Sequence, residues 1–442
     1  MTADAGSRPK RQLGLWMATC LVIGNMIGSG IFLLPAALAP HGGYSLIAWL
    51  ITSAGAVVLA LVFGRLARRI PRAGGPYAFA REGFGDFAGF FMAWGYWISI
   101  IATNAAVASA LVSYLTVFWP ALSGVPTLAM GAVVGTIWIL TLLNASGIRN
   151  GGVIQVVTTV MKLVPLVLIG TVGLWYVRPE AFSLELAPER TALSSINAAV
   201  ALTLWAFLGF ESATIPAENV ADPKRTIPRA TVLGTCITAV VYIASTVVVV
   251  GVLPTDVAAR SAAPFADAGR AMWGGWAAYV MGLGAIVSCF GALNGWILIQ
   301  GQIPMAMARD GVFPKLFART RPDGTPATAI VISSVLATLL LLFSFSGTLV
   351  ELFTKTILLA TLTSVVPMVF ASLTELKLVL GQGSDEAAAR PRRPSVGSIL
   401  LPIVGFAYAL WAIIGAGQET VYLGFLLLLA GLPLYVWLRT RA

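Results

Sequence analysis

The chain has 442 residues, 58% of them hydrophobic and only 10% charged, with a mean hydropathy of +0.88. A soluble domain carries about 25% charged residues, so no soluble packing arrangement could hide this much apolar surface. The formal net charge of +10 would suit nucleic acid only if the charges formed one basic surface; they follow the loops instead.

A membrane-spanning helix needs about 20 apolar residues. Twelve candidates begin near residues 14, 44, 87, 126, 152, 195, 228, 277, 326, 351, 398 and 419. The fold expected is an all-α polytopic membrane protein of 12 transmembrane helices. Residues 1–12 read as a cytoplasmic tail, and 13–442 as a single membrane domain.

The first span is too long for the apolar core of a signal peptide and reads as retained. It contains Gly24-Asn25-Met26-Ile27-Gly28-Ser29-Gly30-Ile31-Phe32, where three glycines, an Asn and a Ser would let the helix open. Unpaired backbone groups survive in hydrocarbon only where protein, water or ligand satisfies them. Opening at Gly28, Ser29 and Gly30 would leave N–H groups at the start of the following half-helix, whose positive end attracts a carboxylate. The carbonyls freed around Met26 would accept from an ammonium group. Close helix packing through small residues is the competing explanation for these glycines.

The fifth span carries Lys162 about ten residues in. An intramembrane lysine is a functional candidate by default, with snorkelling to the interface as its alternative. The sixth span repeats the interruption in Trp205-Ala206-Phe207-Leu208-Gly209-Phe210-Glu211-Ser212; here the carbonyls of Trp205 and Leu208 join the expected ammonium site, and Glu211 is a second intramembrane charge. Two broken spans at corresponding places in two halves point to a secondary transporter's binding site. Five spans per half invert the second copy, which predicts inverted repeats at about 13–180 and 195–380, with two extra helices at about 397–440. Cys20, Cys236 and Cys289 all fall in apolar spans and are expected to be core packing residues, with no disulfide framework or metal site. The stretches 178–194 and 255–276 read as the largest outside loops, and 381–395 as a flexible inside linker.

Charge fixes the expected orientation. Placing the N-terminal tail in the cytoplasm puts 22 of the 28 basic residues inside. Among them are Arg65, Arg68, Arg69, Arg72 and Arg81 after the second span. The positive-inside rule therefore predicts a cell inner (plasma) membrane protein with both termini cytoplasmic. Trp16, Trp175 and Trp437, near span ends, read as the interfacial aromatic belt. No phosphate loop, metal cluster or nucleophile arrangement is present, and a single histidine makes His-based catalysis a poor reading.

GNMIGSGIFLLP in the first span, GGPYAFARE before the third, LWAFLGFESAT in the sixth, DPKRTIPRA after it, and the stretch from Trp296 to DGVFP resemble the amino acid, polyamine and organocation transporter superfamily. The likeness runs from about residue 12 to 437 and is greatest to its basic amino acid/polyamine antiporters. It implies exchange of substrates by alternating access. Carried over residue by residue, it places the substrate carboxylate on Ser29 and Gly30 with Asn25 close by. Trp205 becomes a gate over the substrate, Asn104 a third-span contact and Trp296 a platform for a guanidinium or aliphatic chain. Tyr77 and Tyr96 become gating tyrosines, and Glu211 is implicated in proton-linked behaviour. Lys162 departs from these antiporters and is similar to proton-coupled relatives, in which a lysine stands where sodium-coupled members bind their ion. The antiporters' tenth-span serine has no clear match around Ala360 and Thr361.

The expected function is a secondary active antiporter of cationic amino acids and related amines. A proton-coupled permease or exchanger of neutral amino acids is the alternative, and a non-transporting sensor a weaker third. No enzyme activity, cofactor or metal is expected. The partners expected are a small amino acid or amine and the lipid bilayer, without nucleic acid, and with a homodimer left open.

Overall fold

The computed structural model describes residues 13–440 except 73, 148–150, 185–190, 216, 218–219, 345–347 and 382–393, and of 151–158 the backbone only. The tail 1–12 and nearly all of the 381–395 linker therefore lie outside the described residues. Twelve helical stretches among the described residues are long and apolar enough to cross a membrane: Leu15–His41, Tyr44–Arg69, Pro76–Leu115, Pro126–Ala145, Thr159–Tyr176, Ala192–Thr214, Pro223–Val252, Gly275–Arg309, Ala327–Ser344, Leu349–Gly381, Val396–Ile414 and Gln418–Arg439. They are numbered spans 1 to 12. No strand occurs among the described residues, only an isolated bridge between Leu13 and Val220.

Burial sorts the spans. In the most apolar window, 89% of residues are buried in spans 1 and 3 and 72% in span 6, against 28% in span 4 and 17% in span 12. The two interrupted helices, spans 1 and 6, are thus among the three most enclosed, together with span 3. Spans 4, 9, 11 and 12 instead present large apolar side chains outward, such as Ile139, Phe343, Ile414 and Phe425. This is the distribution expected when lipid, rather than water, surrounds the bundle.

Three features differ from the sequence reading. Span 3 starts at Pro76, eleven residues before the apolar run near 87, and continues to Leu115 through a kink at Gly85, φ +83°. Hydropathy missed its first turns because Arg81, Glu82 and Asp86 look like loop, yet Pro76 at the first helical position is preorganised for a helix start. The supposed outside loop after span 7 holds two short helices, Thr255–Arg260 and Pro264–Trp273. The second packs Phe265 edge-on against Phe32 of span 1, with ring centroids 5.2 Å apart. Of the cysteines, Cys289 is buried and Cys20 half-buried, but Cys236 is exposed on the flank of span 7 rather than packed in the core. An apolar span alone does not say which face meets lipid.

Candidate substrate site

Span 1 is helical from Leu15 to Met26 and again from Gly30 to Leu38, with Ile27 to Ser29 opened between. Span 6 is helical from Ala192 to Ala206, breaks at Gly209, and resumes as a 3-10 turn from Phe210 to Thr214. Gly209 sits at φ +112°, a conformation L side chains rarely adopt. A Cβ there would also come within 3.0 Å of the Asn25–Met26 backbone. The two breaks are therefore packed directly against each other. Spans 1 and 6 are five apart in order, the spacing that a five-span repeat expects.

The backbone groups released by the break in span 1 can be accounted for one by one. Lys162 Nζ of span 5 donates to the Gly24 carbonyl at 2.6 Å and the Ile27 carbonyl at 2.8 Å. Tyr242 of span 7 donates its hydroxyl to Met26 O at 2.5 Å and to Ala206 O at 3.1 Å, tying both breaks together. Trp296 Nε1 of span 8 donates to Asn25 O at 3.3 Å, and Ser288 Oγ to Ile27 O at 3.2 Å. Spans 5, 7 and 8 thus replace the missing intrahelical donors, as a buried unwound segment requires. Lys162 is fully buried, so it does not snorkel. It ties a carbonyl of the last turn before the break to the first carbonyl within it.

This accounting changes the expected role of Met26. Its carbonyl was expected to be free for a substrate ammonium, but Tyr242 and the Gly28 N–H already occupy it. The Trp205 carbonyl likewise receives the Leu208 N–H at 3.0 Å. On the N–H side, Ser29 precedes the half-helix Gly30–Leu38 without a side-chain cap. The first N–H groups of that half-helix have no partners of their own within it.

A small cavity of about 10 Å³ lies against this half-helix, lined by Asn25, Met26, Gly28, Ser29, Gly30, Thr103, Val107, Trp205, Ala206, Leu208 and Trp296. Every lining residue is buried, so the cavity is occluded from both faces. Both side-chain polar atoms of Asn25 and the hydroxyl of Ser29 are buried with no hydrogen-bond partner among the described residues. Orphaned buried polar atoms cost about 1–3 kcal/mol each unless something satisfies them, and here they face a void. Space of about 10 Å³ holds about one water, so a substrate would have to part the side chains around it. No carboxylate lines it.

Of the residues expected at the substrate, Asn25, Met26, Ser29, Gly30, Trp205, Leu208 and Trp296 come together around this cavity. Asn104 does not. Its amide donates to Gln300 Oε1 at 2.7 Å, away from the cavity, and the neighbouring Thr103 lines it instead, receiving Trp205 Nε1 at 3.3 Å. A one-residue shift on a helix turns a side chain by about 100°, enough to exchange these positions.

Glu211 is also separate from the substrate cavity. It borders a second small void of about 10 Å³, with Phe63, Pro76, Tyr96, Phe210 and Ser364. Its carboxylate accepts from Tyr96 OH at 2.7 Å and from the Gly209 N–H at 3.0 Å. Leu208 borders both voids, so one side chain divides the carboxylate from the cavity. Tyr77 lies at the start of span 3, donating to Asp310 Oδ2 at 2.8 Å just after span 8. Arg81 pairs with Asp310 and Asp86, and Arg439 of span 12 with Asp86. The residues expected as gates thus occupy two levels, Tyr96 beside Glu211 and Tyr77 in an ion-pair lattice at the helix ends.

Sequence reasoning missed Thr103, Tyr242, Ser288 and Gln300. Tyr242 and Gln300 had a usable signal, since each is a lone strong hydrogen-bonding side chain inside an apolar span. Ser288 and Thr103 had none, because Ser and Thr satisfy themselves on their own helix carbonyls in many spans here.

Residues 13–430 match the family model described as amino acid permease. A protein of Bacillus subtilis (strain 168) named "Putative arginine/ornithine antiporter" is 33% identical, over 98% of both chains. The cadaverine/lysine antiporter of Escherichia coli (strain K12) is 34% identical over 82% of both chains. The putrescine transporter PotE of the same strain is 31% identical over 96% of this chain and 95% of its own. With its twelve apolar spans and an occluded cavity between two broken helices, the chain belongs to the amino acid permease family.

Proposed function

We propose that the protein is a secondary antiporter that exchanges cationic amino acids and their related amines across a cell membrane. The observation that carries this reading is the cavity between the two helix breaks, rich in unpartnered donors on one side and flanked by Trp205 and Trp296. In this reading the N–H groups around Ser29 and Gly30 receive the substrate carboxylate, and Asn25 Oδ1 and the Leu208 carbonyl receive its ammonium. Trp296 then holds the side chain, with Trp205 closing over it. The arginine-rich ends of spans 2, 7 and 8 face the cytoplasm, with both termini on that side of the inner membrane. Substrate names of the relatives, arginine/ornithine, cadaverine/lysine and putrescine, support a cationic cargo.

The test is exchange in proteoliposomes loaded with labelled arginine or lysine. External arginine, lysine, ornithine and short diamines are expected to accelerate release of label, while alanine and serine do not. Acceleration only by neutral amino acids would replace this reading with that of a neutral amino acid exchanger. That second reading draws on the absence of any carboxylate in the cavity lining.

Trp296 provides a sharper discriminator. A cation over an indole gains about 0.5–2 kcal/mol when desolvated, so Trp296→Leu is expected to weaken arginine or lysine binding by roughly 1–2 kcal/mol more than alanine binding. The bond from Trp296 Nε1 to Asn25 O is lost for every ligand, so only the difference between ligands in calorimetry reports on the side chain. Equal losses for all ligands would rule out the cation platform.

A further inference from the structure

Far from the substrate cavity, a surface groove of about 630 Å³ runs between spans 1, 2 and 7. Leu15, Leu61, Gly64, Arg65, Arg68, Pro228, Arg229, Val232, Leu233 and Cys236 line it. The span 2 residues, Leu61, Gly64, Arg65 and Arg68, are spaced i, i+3, i+4, i+7. So are Arg229, Val232, Leu233 and Cys236 of span 7. Each set forms one face of its helix.

The two stripes run in opposite chain directions, and this matches their chemistry end to end. On span 2 the apolar Leu61 comes first and the arginines last; on span 7 Arg229 comes first and Val232, Leu233 and Cys236 follow. Their basic ends therefore meet at one face of the bundle, and their apolar ends meet deeper in the membrane. Gly64 forms the floor, since a Cβ there would sit 3.1 Å from the Cα of Pro228. A larger residue would fill the floor of the groove.

Among the described residues, Arg65, Arg68 and Arg229 form no ion pair within 4.0 Å. The neighbouring Arg69 does, with Glu375 at 3.5 Å, and Arg65 lies within electrostatic range of the same carboxylate. No acidic residue lines the groove. A positive-inside bias asks only that arginines lie near one face. It does not require three of them from two helices to ring one end of an apolar trough.

We propose that this groove is a binding site for an anionic phospholipid, with the headgroup phosphate on Arg65, Arg68 and Arg229 and an acyl chain along Leu61, Val232, Leu233 and Cys236. Arginine suits the role because its planar fork pairs bidentately with phosphate oxygens, and basic clefts between membrane helices bind anionic headgroups. The site joins span 1, which carries the substrate break, to spans 2 and 7, so an occupant would clasp these three helices together at that face.

The test is native mass spectrometry of the full-length protein in detergent, with phosphatidylglycerol and phosphatidylcholine of identical acyl chains added in competition. Wild type is expected to retain one phosphatidylglycerol with about tenfold preference. R65Q/R68Q/R229Q is expected to bring that preference below about twofold, while R65K/R68K/R229K keeps most of it. If the glutamine variant does not fold, Leu233→Trp answers instead, because it fills the apolar end and should expel the lipid with all three arginines present. Equal retention of the two lipids by wild type, or an undiminished preference in either the glutamine or the Leu233→Trp variant, would overturn the proposal.

Discussion

A Lys162→Ala variant is expected to slow one-for-one exchange of labelled for unlabelled substrate by about tenfold or more, whether or not a pH gradient is present. The reason is the position of the ammonium group, 2.6 Å from the Gly24 carbonyl just before the helix break and 2.8 Å from the Ile27 carbonyl at its start. Alanine orphans the Gly24 carbonyl and leaves the Ile27 carbonyl with Ser288 Oγ alone, at 3.2 Å. At about 1–3 kcal/mol for one buried unsatisfied group, the loss is of the size of the roughly 1.4 kcal/mol that separates rates by a factor of ten. The opened turn of span 1 would then lose the brace that holds it in the shape facing the cavity. Liposome flux assays distinguish this from a purely proton-coupling lysine. In that case, uptake driven by a pH gradient would disappear while exchange was spared. A variant with both fluxes intact would remove Lys162 from the mechanism altogether. Glu211→Gln is the companion measurement. It keeps an acceptor for Tyr96 OH, loses the one that receives the Gly209 N–H, and cannot take up or release a proton, while the side chain lies outside the cavity lining. It should therefore spare exchange and abolish any response to a pH gradient.

Substituting Gly30 has the second large effect. A Cβ at Gly30 would lie 3.1 Å from Trp205 Cζ3 and 3.2 Å from the Ala206 Cβ, so even alanine requires span 6 to shift by a few tenths of an ångström. Leucine would add three further heavy atoms beside the N–H groups proposed to receive the carboxylate. Gly30→Leu is expected to weaken substrate binding by more than about 100-fold, equivalent to roughly 2.7 kcal/mol, while the protein remains monodisperse in detergent. The expected cost lies in the cavity, because the half-helix itself accommodates leucine well. Normal affinity by calorimetry in this variant would sink the assignment of the site. Gly30→Ala, with only the Cβ added, should lie between the two.

How far the residues themselves announced this arrangement depends on what kind of information each question needed. Span count came from hydropathy, because a helix in hydrocarbon must be long and apolar along its whole length, and that property is local. The broken turns at Gly28-Ser29-Gly30 and Gly209 were legible for a related reason. A membrane rarely tolerates such residues in mid-span unless the backbone opens there. Lys162 and Glu211 stood out because intramembrane charge is expensive. The early start of span 3 escaped the same test, since Arg81, Glu82 and Asp86 make a helix end look like a loop until Asp310 and Arg439 supply their partners.

What the sequence by itself determined, then, was the class of molecule, the two places where its helices open, and the charges that matter. The family resemblance brought most of the cavity lining within reach. Only the tertiary structure decided which groups are already spoken for. Tyr242 takes the Met26 carbonyl, Gln300 takes Asn104, and Thr103 stands at the cavity in its place. It also decided that Leu208 divides Glu211 from the cavity and that Cys236 faces outward over a basic groove. The physical reason is that hydrogen-bond satisfaction is a pairwise property of groups on different helices, here 36 to 271 residues apart in the chain. Helical period shows which side chains share a face, but only packing determines what that face meets.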